Sequence, residues 1–264
     1  MKIHFIGIDG VGMSFLAKLC EDFADVDGSD IKRKGHKAEF VAGADLVVKS
    51  MAITDDNPEI VEAKKAGLPI VDRASLLGVI MDSYGKKIAV SGTHGKTTAT
   101  AMIAYALRSL EPTAAIGGSI GGKVGIVGKK KVFVAEACEY KRSFLHLNPT
   151  IGVILNADFD HVDYYRSLSD VQSAFREFAD KCETALIGED IKRFGIKGRK
   201  QTLIFGFTDD CDYVGKIDND ILFLLRNGVV KDSVRLKVRG KHNYYDALAA
   251  LAVGKVLGLP DAAI

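Results

Sequence analysis

The sequence predicts an α/β fold in two parts, a small domain built on a parallel sheet and a larger α/β unit that follows it. Three observations support this prediction. Strand-like and helix-like apolar patterns alternate along most of the 264 residues. Two glycine-rich turns, at 7–12 and 92–95, each lie between a short apolar strand and a helical pattern. The pair Tyr84-Gly85 separates the two series of elements, and we predict the boundary there.

Residues 1–84 are predicted to form a small doubly wound domain. After the first turn, Phe15, Leu16 and Leu19 have the spacing of one helical face. Short strands that alternate with helices are typical of doubly wound sheets. The predicted strands are 3–8, 25–30, 46–48 and 70–71, and the predicted helices are 15–23 and 58–66.

The first glycine turn is similar to the dinucleotide fingerprint G-x-G-x-x-G without matching it. Its glycines are Gly7, Gly10 and Gly12, and Asp9 stands where the second glycine belongs. A side chain at that position obstructs the close approach of a pyrophosphate. Asp30 ends the second strand, where a ribose is usually held. Two interpretations of this turn therefore remain, a nucleotide-binding site and a plain strand-to-helix turn.

The second glycine turn has the composition of a triphosphate-binding loop. Gly92 and Gly95 let backbone N–H groups converge on phosphate oxygens. Lys96 can reach the β- and γ-phosphates, and the Thr97 hydroxyl can ligate Mg²⁺. Val90 replaces the first glycine of the full P-loop pattern, which leaves the looser string G-x-x-G-K-T. The preceding strand and following helix favour phosphate binding over a turn with a merely solvated lysine.

Residues 85–264 are predicted to form a larger α/β unit around this loop. We expect 116–122 to be a flexible loop that approaches the substrate. A pair of β-hairpins is predicted over 213–237, with turns at 218–220 and 226–228. The other predicted strands are 87–90, 132–135, 151–155, 185–188 and 202–206, and the helices are 99–107, 169–182 and 244–253.

Acidic clusters follow two of these strands, at the sheet edge where ligands bind in open α/β folds. Glu136 directly follows an apolar run, which makes it a better Mg²⁺ ligand candidate than Glu139. His161, between Asp160 and Asp163, can also ligate a divalent ion. The alternative is that these acids cap helices and that His161 binds a loop carbonyl. Their combination behind a phosphate loop favours the metal site.

His242 and Asn243 precede the last predicted helix. They can cap that helix or recognise a base, and the residues alone favour capping.

Composition excludes several classes of protein. The chain has 36 basic and 34 acidic residues, a net charge of +2, which gives no argument for nucleic acid or an anionic membrane as partner. The start of the chain resembles a strand rather than a signal peptide, and no apolar run has the length of a membrane span. Its four cysteines are far apart without a C-x-x-C pair, which favours reduced thiols and a cytoplasmic location.

The motifs together resemble those of the Mur ligases, the ATP-dependent amide-bond-forming enzymes of cell-wall precursor synthesis. The similarity is greatest to the branch that joins L-alanine to UDP-N-acetylmuramate, and it covers nearly the whole chain in family order. The matching strings are HFIGIDGVGMS from 4, GSD at 28–30, KSMAITDDNPEI from 49, VSGTHGKTT at 90–98, VAEACEYKRSFL from 134, DFDHVDYY at 158–165 and GKHN at 240–243.

The resemblance implies a Rossmann-like UDP-sugar domain over 1–84 and a central ATP-binding P-loop domain over 85–264. The implied catalytic residues are Lys96, His94, Glu136 and His161. The implied UDP-sugar contacts are Gly10, Val11, Gly12, Met13, Asp30, Ser50, Ala52 and His94. The implied ATP contacts are Gly92, Thr93, Gly95, Lys96, Thr97 and Thr98, with His242 and Asn243 near the adenine. The implied Mg²⁺ ligands are Thr97, Glu136 and His161.

The implied reaction begins with transfer of the γ-phosphoryl group of ATP to the substrate carboxylate, which gives an acyl phosphate. The amine of L-alanine then displaces phosphate. A related ligase that adds a peptide or uses another UDP-sugar, and a non-catalytic UDP-sugar or nucleotide-binding protein, remain alternatives. A nicotinamide dehydrogenase is disfavoured by Asp9 and by the triphosphate loop.

The chain departs from the family pattern in three ways. Asp246 stands where the family commonly has asparagine, which puts an adenine contact in doubt. No lysine occurs between Val162 and Asp180, where several sister ligases carry a carbamylated one. The resemblance also implies a third domain after residue 264, so we expect a fragment or a natural short homologue with ligand binding but weak turnover.

Overall fold

The computed structural model describes residues 1–33, 35–120, 122–129 and 131–261 and has the predicted mixed α/β fold. Its first half, the N-terminal lobe, is a four-stranded sheet in the order β2-β1-β3-β4, parallel throughout. The elements of this lobe are β1 Lys2–Ile6, α1 Val11–Cys20, β2 Asp25–Ser29, β3 Leu46–Lys49, α2 Pro58–Lys65, β4 Ile70–Asp72 and α3 Arg73–Asp82.

Helix α3 was not among the predicted elements. Asp72 begins it as an N-cap, because its Oδ1 accepts hydrogen bonds from the amides of Ala74, at 2.9 Å, and Ser75, at 3.0 Å. The aspartate directly before an apolar run is the sequence signal that identifies this helix.

The second half, the phosphate-loop lobe, is a ten-stranded mixed sheet in the order β14-β13-β12-β11-β10-β9-β5-β8-β6-β7. Strand β5 lies near the middle, between β8 and β9, so the loop that follows it emerges at the carboxyl edge of parallel strands. The elements are β5 Lys86–Ser91, α4 Lys96–Ala106, β6 Thr113–Ile120, β7 Lys123–Ile126, β8 Val132–Glu136, β9 Ile151–Ile154, α5 Leu168–Lys181, β10 Thr184–Gly188, β11 Gln201–Gly206, β12 Tyr213–Asp218, β13 Ile221–Arg226, β14 Val229–Arg235 and α6 Lys241–Val256.

The prediction of a flexible loop over 116–122 is wrong for the residues that the structure describes. Strand β6 continues to Ile120 and is followed by the antiparallel strand β7, while Gly121 lies outside the described residues. Residues 113–115 of β6 pair with β8, and Ile120 pairs with Lys123 of β7, so strand pairs bound this glycine-rich segment at both ends. Its glycines allow close packing, since a Cβ on Gly117 would lie 2.4 Å from the Glu136 carboxylate.

The predicted hairpin pair is confirmed, because β12, β13 and β14 are successive antiparallel strands. On α5 the predicted apolar face of Val171, Phe175 and Phe178 is buried. Across the described ranges, no helix combines the length and the apolar character that a membrane crossing requires.

The two lobes pack directly on each other through α1 and α3. A Cβ on Gly78 of α3 would lie 2.2 Å from the carbonyl oxygen of His146, and one on Gly125 would lie 2.4 Å from the Phe15 ring of α1. The hydroxyl of Ser75 lies 3.0 Å from Nδ1 of His146. Two glycines therefore permit close contact at this junction, and one core cluster joins side chains of both sheets.

Candidate functional site

The phosphate loop connects the buried end of β5 to the first turn of α4. Gly92 has φ 146° and Gly95 has φ 83°, values that favour glycine at both positions. Val90 pairs with Glu136 on β8, which places this acid beside the start of the loop. Thr98 lies in the first turn of α4. The backbone N–H groups of this first turn face the loop and have no carbonyl acceptor within the helix.

The Lys96 ammonium group is held inside the loop. It donates hydrogen bonds to the carbonyl oxygens of Gly92, at 2.6 Å, and Thr93, at 3.1 Å. It also forms an ion pair with Glu139, at 3.0 Å. The lysine side chain is only 14% exposed. A cation is thus fixed where a bound phosphate chain would need it.

Glu139 connects Lys96 to His161. Its carboxylate is 3% exposed, and its Oε1 lies 3.4 Å from Nε2 of His161. The Tyr165 hydroxyl donates to the Glu139 backbone oxygen at 2.5 Å, which fixes this turn. The sequence favoured Glu136 over Glu139, and the structure brings both acids to the loop.

Glu136 and Thr97 form the second polar contact of the loop. The Thr97 hydroxyl donates to Oε2 of Glu136 at 2.7 Å, and the amide of Gly117 donates to the same oxygen at 3.1 Å. The absent side chain of Gly117 makes room for this carboxylate. Strand β6 therefore helps to position the predicted metal ligand.

Asn156 anchors the loop at His94 and is a residue that sequence reasoning missed. Its Oδ1 accepts from the His94 amide at 2.8 Å, and its Nδ2 donates to the His94 carbonyl at 3.1 Å. Thr93 is fixed as well, since its hydroxyl accepts from the Asp158 amide at 2.9 Å. The His94 imidazole remains 71% exposed, with Nε2 3.8 Å from Asp158.

Helix α6 packs against the loop through Asp246. A Cβ on Gly95 would lie 2.9 Å from Oδ1 of Asp246, and the aspartate is 5% exposed. Burial raises the pKa of the Asp246 carboxyl to about 7. Asn243 lies one turn earlier on the same face of the helix.

The capping role that the sequence favoured for His242 and Asn243 is wrong. Gly240 is the N-cap of α6, without a side-chain cap, and both residues lie in the first helical turn. The Asn243 side chain instead donates to the Arg239 carbonyl at 2.8 Å. Glycine is tolerated at the N-cap position, although it supplies no side-chain acceptor for the amides of the first turn.

The predicted UDP-sugar residues gather at the carboxyl ends of β1, β2 and β3. Gly10 precedes α1 as its N-cap, so Val11 and Gly12 are the first helical residues, while the Met13 side chain is buried in the core. A Cβ on Gly7 would lie 3.8 Å from the Ser50 hydroxyl, and Ala52 follows in the same loop.

Asp30 is engaged within this turn. Its carboxylate accepts from the amides of Asp9, at 3.2 Å, and Lys32, at 3.0 Å. Asp9 itself pairs with Arg33, whose Nε donates at 2.7 Å. Both acids thus stabilise the glycine turn, a function that the sequence did not predict.

A small cavity lies where the lobes meet. Gly12 and Arg73 line it from the N-terminal lobe, and Gly117, Glu136 and Cys138 line it from the phosphate-loop lobe. The cavity therefore extends from the first glycine turn to Glu136, whose carboxylate contacts Thr97 next to the second glycine turn.

The donor set suits Mg²⁺. Mg²⁺ is usually held by one or two protein carboxylates together with phosphate oxygens and waters. Thr97, Glu136, Glu139 and His161 provide such donors beside the loop. No cluster of three His, Cys, Asp or Glu side chains that could hold a metal ion occurs among the described residues.

Comparison with known families agrees with this geometry. The Mur ligase family, catalytic domain, matches residues 2–84, and the Mur ligase middle domain matches residues 90–254. The second match alone spans more than half of the 264 residues. The chain belongs to the Mur ligase family.

Among Mur ligases, the UDP-N-acetylmuramate–L-alanine ligase of Caldanaerobacter subterraneus subsp. tengcongensis is 41% identical over 294 residues. That match covers 98% of this chain and 63% of the relative, so the chain spans about 63% of the curated relative's length. The crystal structure of the Thermotoga maritima UDP-N-acetylmuramate-alanine ligase matches with a TM-score of 0.85 at 31% identity, over 100% of this chain and 66% of that one.

A second solved Mur ligase shares the fold. The UDP-N-acetylmuramate:L-alanyl-gamma-D-glutamyl-meso-diaminopimelate ligase of Neisseria meningitides has a TM-score of 0.86 at 22% identity. The match covers 99% of this Mur ligase chain and 95% of the other. At this identity the likeness concerns architecture alone.

Proposed function

We propose that this chain forms the UDP-N-acetylmuramate and ATP sites of a ligase that joins L-alanine to UDP-N-acetylmuramate in peptidoglycan precursor synthesis. One observation carries the proposal. A single cavity is lined by Gly12 of the glycine turn in one lobe and by Glu136 beside the phosphate loop of the other. A ligand on each turn would therefore have its reactive end at the same place.

The charge distribution supports phosphoryl transfer. The reaction brings a carboxylate next to a triphosphate, and both are anions. Lys96 and the first-turn amides of α4 supply positive charge at the loop. Thr97, Glu136 and His161 would hold Mg²⁺, and the bound ion would supply further neutralisation of phosphate charge. The carboxylate oxygen can then attack the γ-phosphorus, with ADP as leaving group and an acyl phosphate as product.

The remaining residues divide between the two ligands in this proposal. The boundary between the two sites is at 84 and 85, and the exposed His94 imidazole faces the sugar or its carboxylate. His242 and Asn243 lie near the adenine. The UDP contacts are Gly10, Val11, Gly12, Met13, Asp30, Ser50 and Ala52, and the ATP contacts are Gly92, Thr93, Gly95, Lys96, Thr97 and Thr98.

L-alanine is the proposed amine because the relative that is 41% identical is named an L-alanine ligase. The second candidate is the related ligase that adds a peptide to UDP-N-acetylmuramate, an enzyme with which this chain shares its fold. We place the reaction in the cytoplasm, in agreement with four free cysteines among the described residues.

The proposal is tested by calorimetry and by trapping of the acyl phosphate. We expect separate binding of UDP-N-acetylmuramate and of Mg·ATP. With both present, hydroxylamine should convert the acyl phosphate to a hydroxamate, with release of ADP. L-alanine and the peptide are then compared as amine acceptors.

UDP-N-acetylglucosamine is the matched control substrate, because it lacks the lactyl carboxylate and should give no hydroxamate. Failure of the chain to bind either ligand would contradict the proposal. Binding of both ligands without any hydroxamate or carboxylate-dependent ADP release would favour the non-catalytic alternative.

A further inference from the structure

Arg73 begins helix α3 and lies across the glycine turn of the same lobe. A Cβ on Gly12 would lie 3.0 Å from Nη1 of Arg73 and 3.3 Å from its Cδ. The arginine side chain thus covers the first turn of α1. A side chain at position 12 would require the arginine side chain to shift by a few tenths of an ångström.

The Arg73 guanidinium makes no ion pair or hydrogen bond within the part of the chain that the structure describes. Asp72, its neighbour, directs its carboxylate to the amides of Ala74 and Ser75 instead. Arg142, by contrast, pairs with Asp170 at 2.9 Å. A half-buried guanidinium has five N–H donors to satisfy, and an oxyanion satisfies two at once.

The location of Arg73 indicates which oxyanion it meets. Arg73 lines the cavity between the lobes, opposite Glu136 and Gly117. Glu136 in turn contacts Thr97 of the phosphate loop at 2.7 Å. The guanidinium therefore lies between the glycine turn and the site of phosphoryl transfer.

We propose that Arg73 binds an oxyanion of the UDP-sugar, either its diphosphate or its lactyl carboxylate, and so positions the substrate between the two lobes. This inference rests on the proposed function and adds a binding residue to it. The planar guanidinium fork matches both anions, because each presents two oxygens in one plane. Lysine, a point charge, would replace it only in part.

The test is calorimetry at constant ionic strength with wild-type protein, Arg73→Gln and Arg73→Lys. We expect Arg73→Gln to weaken UDP-N-acetylmuramate binding by about tenfold to a hundredfold, as for loss of a charge-assisted hydrogen bond. Arg73→Lys should recover part of that affinity. Lys18→Gln is the matched control, since it removes an exposed cation at the other end of α1. Unchanged Mg·ATP affinity shows that each variant is folded.

Two further ligands distinguish the sources of the oxyanion. If Arg73 binds the diphosphate, Arg73→Gln also lowers the affinity for UDP and for UDP-N-acetylglucosamine. If it binds the carboxylate, only UDP-N-acetylmuramate is affected. Equal affinity of Arg73→Gln and wild type for all three ligands would overturn this inference alone. Absence of UDP-N-acetylmuramate binding by the wild type would overturn both it and the proposed function.

Discussion

The ammonium group of Lys96 lies 3.0 Å from a carboxylate oxygen of Glu139, and the two side chains are 14% and 3% exposed. The pair is removed from water, so each charge depends on the other for compensation. His161 lies 3.4 Å from the same carboxylate. The stability of this region and the proposed phosphate binding therefore depend on the same lysine.

Lys96→Ala should lose Mg·ATP binding while UDP-N-acetylmuramate binding persists, because the lysine belongs to the phosphate-loop lobe alone. It should also lower the free energy of unfolding by about 3–5 kcal/mol, since Glu139 then remains buried without its cation. Calorimetry and urea denaturation measure the two effects separately.

The double variant Lys96→Ala/Glu139→Gln separates binding from stability. It should regain most of the lost stability, because the uncompensated charge is gone, but it should not regain ATP binding. If the double variant is as unstable as Lys96→Ala, the buried ion pair is not the cause. Joint loss of ATP and UDP-sugar binding in Lys96→Ala would contradict separate sites.

Gly117→Ala should weaken Mg²⁺-dependent ATP binding while the fold persists. The added methyl group would lie 2.4 Å from the Glu136 carboxylate, so this acid must move away from Thr97. We expect a loss of roughly tenfold in affinity, measured by calorimetry with and without Mg²⁺.

Gly85→Ala is the control for that substitution, because a Cβ there lies 3.9 Å from its nearest neighbour, the Lys131 carbonyl oxygen. It should change neither stability nor binding by a measurable amount. A Gly117→Ala protein with wild-type Mg·ATP affinity would show that the position of Glu136 is unimportant.

Asp246 should make the protein less stable as the pH rises from about 4 to about 7. Its pKa is raised from 3.8 to about 7, so in this window the folded state keeps a proton that the unfolded state has released. The free energy of unfolding therefore falls as the pH rises through this window, and the ionisation of Asp246 does not change it further at higher pH. The loss attributable to this group is roughly 2–4 kcal/mol.

Asp246→Asn, which restores the residue common in the family, removes the ionisation and should flatten this pH dependence. Urea denaturation of both proteins between pH 4 and 8 gives the slope of the unfolding free energy against pH. The difference between the two slopes reports Asp246, because all other titrating groups are common to both proteins. Parallel stability curves for the two proteins would contradict the prediction.

Local signals predicted most of the fold and part of the site. The string around Lys96 predicted the glycine turn between a strand and a helix, because such a turn is encoded by neighbouring residues. The glycines of 116–122 predict a loop, whereas β6 continues to Ile120, because its antiparallel pairing with β7 involves residues outside this segment. Helix α3 escaped prediction even though Asp72 marks its start.

By itself the sequence determined most of the strands and helices and their order, the two glycine turns and the acids at the strand ends. Periodicity and glycine placement are local properties, and a single chain displays them. Only the tertiary structure decided that Glu139 pairs with Lys96, 43 residues away, and that Arg73 lies across Gly12. Such contacts depend on strand order, register and lobe packing, which join residues distant in the chain and leave no local pattern.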